Sequence, residues 1–164
     1  MKPGLRKLTL LAHLTSSVGW LGAVVAFLAL AIVAVTSRSL PVVRATYIGM
    51  GLVVSYVIVP LAVASFASGL LSSLGTTWGL FRHYWVVIKL CLTLSAVAVL
   101  LRQVEPIRQM AITAEAPASS LSDFREPMRP LVHAAGGLLV LLVVQSLGVY
   151  KPRGLTRYGW GKQR

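Results

Sequence analysis

Three side chains able to do chemistry stand inside long apolar runs of this 164-residue chain: His13, Lys89 and His133. An imidazole or an ammonium group is expensive to place in hydrocarbon, so each marks a candidate site for ligating a metal or porphyrin, moving a proton or holding an anion. A neutral imidazole keeps one nitrogen lone pair for a metal. A charged lysine pairs with a carboxylate such as a porphyrin propionate, and a neutral one can itself bind metal. His83 lies at the edge of an apolar run, where it reads as an interfacial histidine before a ligand.

Other chemistries find no machinery. The four acidic residues all fall between Gln103 and Arg129, with no histidine or cysteine arranged beside them, so hydrolysis has no candidate residues. No glycine-rich phosphate loop is visible. Met50, Met110, Met128 and Cys91 are scattered rather than spaced as a thioether or thiolate cluster, which ranks copper below haem. Cys91 falls mid-span and reads as a small buried hydrophobe.

The elements that must position these groups follow from composition. With 56% hydrophobic and 12% charged residues and a mean hydropathy of +0.77, the chain has too little polar surface to cover its apolar mass in water. It is expected to be an all-α, polytopic membrane four-helix bundle forming one domain. Its spans are read as about 8–35, 41–74, 84–101 and 130–150, each long enough to cross a hydrocarbon core of about 30 Å. The first run is too long for a cleaved leader and holds His13 and Trp20. Runs this long without period-two alternation exclude a membrane barrel.

The net charge of +12 would suggest nucleic acid in a soluble protein; here its distribution reads as topology and no nucleic-acid partner is expected. Nine Lys and Arg residues lie in the N-terminus (Lys2, Arg6, Lys7), the second loop (Arg82) and the tail 151–164 (Lys151, Arg153, Arg157, Lys162, Arg164). Six lie near the first loop (Arg38, Arg44) and in or at the edge of the loop 103–129 (Arg102 just before it, then Arg108, Arg125 and Arg129). The bias predicts both termini in the cytoplasm, the plasma membrane as location, loop 103–129 outside with a short interfacial helix, and a basic tail against anionic lipid.

Helical spacing groups the candidates. His13, Ser17, Trp20 and Val24 share one face of the first span, with Gly19, Gly22, Ala23 and Ala26 beside them. The second span is longer than the membrane needs, and Pro60 is a predicted hinge near its middle. Beyond Pro60, the stripe Ser65, Ser68, Gly69, Ser72, Ser73 suits tight packing or a flat cofactor. His133, Gly137 and Val140 share a face of the last span, which Pro130 opens.

Three stretches together carry a resemblance: His13 followed by Trp20-Leu21-Gly22; Trp78-Gly79-Leu80 leading to Trp85 and, four positions on, Lys89; and His133 leading to Tyr150-Lys151-Pro152-Arg153-Gly154. Nearly the whole chain resembles a bacterial family of small integral membrane proteins of unassigned function. The first two stretches are more distantly similar to the copper-resistance protein D family and to bacterial membrane-bound protoporphyrinogen oxidases. In the latter an early histidine and a lysine following a tryptophan are the important residues and haem b is bound. The resemblance implies His13 and Lys89 as site residues with Trp20 and Trp85 as neighbours. Because His83 precedes Trp85 instead of following it, porphyrin binding is implied rather than oxidase activity.

The expected reading is therefore a membrane protein that holds b-type haem between helices for redox, haem-handling or gas-sensing work, beside a redox partner or in a homo-oligomer. His13 and His133 are its candidate ligands, with Lys89, Trp20, His83, Ser17 and Trp85 around them. A copper-handling protein and a non-catalytic membrane subunit are the alternatives. With both termini inside, the two histidines stand at levels roughly 17 Å apart. Metal–imidazole bonds are about 2 Å, so two ligating histidines mean two sites.

Overall fold

The computed structural model of the chain describes residues 3–74, 80–124, 128–152 and 154–156. Among them the protein is a bundle of four helical rods long and apolar enough to cross a membrane, as expected of a multi-pass membrane protein. The first is α1 (Pro3–Thr36). The second joins α2 (Leu40–Val53) through a π-helical segment, Val54–Ile58, to α3 (Val59–Leu74). The third is α4 (Tyr84–Glu115), and the fourth is α5 (Met128–Tyr150). Trp78, Arg125, Lys2, Arg153, Arg157, Lys162 and Arg164, used above for motif or topology, lie outside the described residues.

Pro60 shapes the second rod as its chemistry requires. It has no N–H to give and its ring crowds the carbonyl four residues back. The helix answers just before it by widening one turn, with the Val59 amide bonded to the carbonyl of Val54, five residues away.

The third rod departs from the sequence reading, which ended the span at Leu101 and placed a loop from Gln103. Instead α4 continues to Glu115. Val104, Ile107, Ala111 and Ala114 recur at helical spacing, and the last three are buried against the core. On the outer side Glu105 accepts a hydrogen bond from Gln109 one turn on and stands 3.9 Å from Arg108. The expected short interfacial helix is a single 3-10 turn, Leu121–Asp123.

The core runs along α1 and the second rod: Trp20, Phe27, Ala31, Tyr47, Met50 and Val54 are buried, and large aliphatic side chains such as Leu11, Val25 and Leu139 face outward, as lipid permits. Small residues bring the backbones together. A β-carbon on Gly51 would stand 2.7 Å from that of Ala111, so α2 and α4 touch there with no room for a methyl. Arg44, in the first turns of α2, reaches across to the end of α4. Its Nε donates to the Ala114 carbonyl at 2.7 Å and its Nη2 donates to that of Ala116, which also accepts from the Ser119 amide at 3.1 Å, so the guanidinium caps the helix end.

The rods are not parallel. In the second, α2 packs chiefly on α4 while α3 packs chiefly on α1, so α3 and α4 part toward the end that carries the start of α1. The chain after α5 closes that end. It turns at Lys151, whose φ of 44° is a left-handed cap. Residues 154–156 run antiparallel to residues 82–84, with Thr156 N–H bonded to Arg82 O at 3.0 Å and Tyr84 N–H to Gly154 O at 3.3 Å. Residues 154–156 are thus paired through their backbone with the residues that open α4.

Candidate functional site

The gap between α3 and α4 is a cavity of about 330 Å³ lined by three rods. From α1 come Arg6, Leu10 and His13; from α3 come Ser65, Gly69, Ser72 and Ser73; from α4 come Trp85, Lys89 and Thr93; and Lys151 stands at the end of α5. The serine and glycine stripe beyond Pro60 is the wall facing His13.

That wall fixes the imidazole. His13 Nδ1 lies 3.0 Å from the carbonyl of Ser65 and 3.3 Å from Ser68 Oγ. A carbonyl only accepts, and the Ser68 hydroxyl is itself donated to Ala64 O at 2.6 Å, so Nδ1 carries the proton. Nε2 is left with its lone pair and no hydrogen-bond partner among the described residues. A ligating histidine is held in this way, one nitrogen on a backbone carbonyl and the other presented. Gly69 makes the fit possible, because a β-carbon there would come within 2.9 Å of His13 Cε1. One turn further along α1, Ser17 Oγ meets Ser65 Oγ at 2.8 Å and ties the same two helices.

Lys89 points inward. Its Nζ would stand 3.1 Å from a β-carbon on Gly148, so it lies against α5, and it shares both this cavity and a smaller one of about 30 Å³ with His13. The smaller space adds Ser17, Trp20 and Gln145. Among the described residues no carboxylate lines either space, and no hydrogen bond or ion pair joins Lys89 Nζ to any of them. Arg6, Lys89, Lys151 and an imidazole thus converge on a lining that holds no carboxylate among the described residues, beside Leu10, Phe66, Leu70, Leu80 and Leu90. The arrangement suits a ligand with an apolar body and acidic groups.

The other predicted residues fall elsewhere. His83 is the residue before α4, bridged through its backbone to Leu155, with its ring centroid 6.5 Å from that of Trp85; it lines neither space. His133 lines a third, apolar space of about 350 Å³ between α1, α4 and α5. Its Nδ1 donates to the Arg129 carbonyl of its own helix at 2.8 Å. Trp20, only 4% exposed, lines both that space and the small one beside His13, so it stands between the two histidines.

Sequence reasoning missed Arg6, Lys151, Gln145 and Gly148 as site residues. Arg6 had a signal, standing two helical turns before His13 on the same face. Lys151 and Gly148 reach the site only through the packing of α5, which no local pattern encodes.

Among the described residues no three His, Cys, Asp or Glu side chains converge on a point. A bare metal ion held by side chains asks for three or four such donors, whereas a porphyrin brings four nitrogens and asks for one or two more. No protein-family model, curated protein or solved structure matches this chain.

Proposed function

We propose that this protein binds b-type haem in the cavity between α1, α3 and α4, with His13 as axial ligand and the cations Lys89, Arg6 and Lys151 pairing the propionates. The observation that carries the reading is the His13 Nδ1 bond to the Ser65 carbonyl, which leaves Nε2 as the ligand donor in a cavity with no acid among its described lining residues. The donor set fits the group: one oriented imidazole, basic side chains and an apolar wall.

Each residue has a task. Ser65 and Ser68 hold the imidazole tautomer, Gly69 gives it space, and Trp85 forms part of the wall. When bound, haem would supply one-electron or gas-binding chemistry. His13 is the one imidazole among the described residues lining this cavity. A single imidazole suits gas binding or haem transfer, and two suit electron transfer. The charge distribution of the sequence supports a plasma-membrane protein with both termini in the cytoplasm, which puts His13 near the cytoplasmic face.

The test is haem content by the pyridine haemochrome method on protein purified from haem-supplied cells. Stoichiometric haem in the wild type and loss in His13→Ala are expected; a haem-free wild type would contradict the proposal.

A further inference from the structure

We infer that the apolar space beside His133 is a second ligand site, and that it takes the ring of a lipid-soluble hydroquinone. The inference does not rest on the haem reading, because it uses a different cavity and different side chains.

The space of about 350 Å³ lies between α1, the π-helical segment, α4 and α5. Its chemistry is the reverse of that around His13. Among the described residues no Lys, Arg, Asp or Glu lines it, and its polar groups are Ser95, Gln103, His133 and the Trp20 indole N–H, set among aliphatic and aromatic groups. A ligand there is neutral and largely apolar. Spaces of about 300 to 1,000 Å³ with a few placed polar groups hold small molecules.

Hydrogen-bond polarity narrows the choice. His133 Nδ1–H is committed to the Arg129 carbonyl, so Nε2 can only accept in the neutral ring. Its partner must therefore bring a donor. Gln103 carries both a donor and an acceptor and lies on α4, across the space from His133 on α5. A neutral ring with hydroxyls on opposite sides would give one O–H to His133 Nε2 and meet Gln103 with the other. A quinone, with acceptors only, would forfeit the His133 bond.

The glycines supply the room. A β-carbon on Gly136 or Gly137 would meet nothing within 4 Å, so this stretch of α5 presents bare backbone beside open space, while α1 contributes the flat faces of Trp20 and Phe27. Alanine would fit at both glycines without clash, and glycine is a poor helix former. Occupancy by a ligand ring accounts for the space they leave.

The test uses the full chain in detergent under argon, titrated by calorimetry with decylubiquinol and separately with decylubiquinone. Menadiol serves as a second hydroquinone, distinguishing general ring recognition from recognition of one headgroup. The wild type should bind the hydroquinones more tightly than the quinone. His133→Leu should weaken hydroquinone binding roughly tenfold and leave quinone binding nearly unchanged, erasing the preference. Gly137→Ala should weaken both without lowering the melting temperature, since the added β-carbon meets nothing within 4 Å of the protein. Equal binding of the two redox forms by the wild type would overturn the inference. So would wild-type affinity in both variants, the behaviour of simple partition into lipid or detergent.

Discussion

The imidazole of His13 lies directly against the bare backbone of Gly69, where a β-carbon would stand 2.9 Å from Cε1 and 3.2 Å from Nδ1. A ring already pinned to the Ser65 carbonyl cannot yield that space without breaking its bond. Gly69→Ala should therefore swing His13 off its anchor, a loss of roughly 1 kcal/mol of positioning energy. The expected result is membrane-inserted protein with a lowered haem-to-protein ratio. An unchanged ratio would show that the Gly69 contact does not position the ligand.

Lys89 makes a prediction with two opposite signs. An ammonium without a counter-ion is costly within a span, about 2.5 to 3.5 kcal/mol at the centre and less near the end. Lys89→Met should therefore raise the thermal midpoint of haem-free protein while weakening its affinity for haem. Thermal unfolding of the apoprotein and haem titration check the pair; a lowered midpoint would mean that Lys89 has a structural partner.

At the other end of the bundle, Arg44 caps α4 through the carbonyls of Ala114 and Ala116. Arg44→Leu leaves both acceptors without that donor and should cost about 1 to 3 kcal/mol, read as a lower unfolding midpoint. The haem spectrum should not change, because Arg44 and His13 lie at opposite ends. A spectral change would imply coupling along the second rod.

The legible part of this protein is what hydropathy and helical period dictate. Four apolar runs could only become four spans, and Pro60 could only disturb the second, which it does through the Val54–Ile58 π turn. The stripe from Ser65 to Ser73 was readable as a contact surface, and His13 is what it contacts. The end of α4 was misread because polar Glu105, Arg108 and Gln109 mask the buried face of Ile107, Ala111 and Ala114. Lys151 entered the site unseen because a cation at the end of α5 reads locally as a topology signal. Its place beside Arg6 depends on how α1 and α5 pack, and that is tertiary information.

The central claim is that His13, and not His133, holds the cofactor. The most direct measurement is the oxidised and dithionite-reduced absorption spectrum of the purified wild type, His13→Ala and His133→Ala. The account predicts a Soret band with shifted reduced bands in the wild type and in His133→Ala, and loss of that band in His13→Ala. A colourless wild type, or a Soret band surviving in His13→Ala, would contradict it.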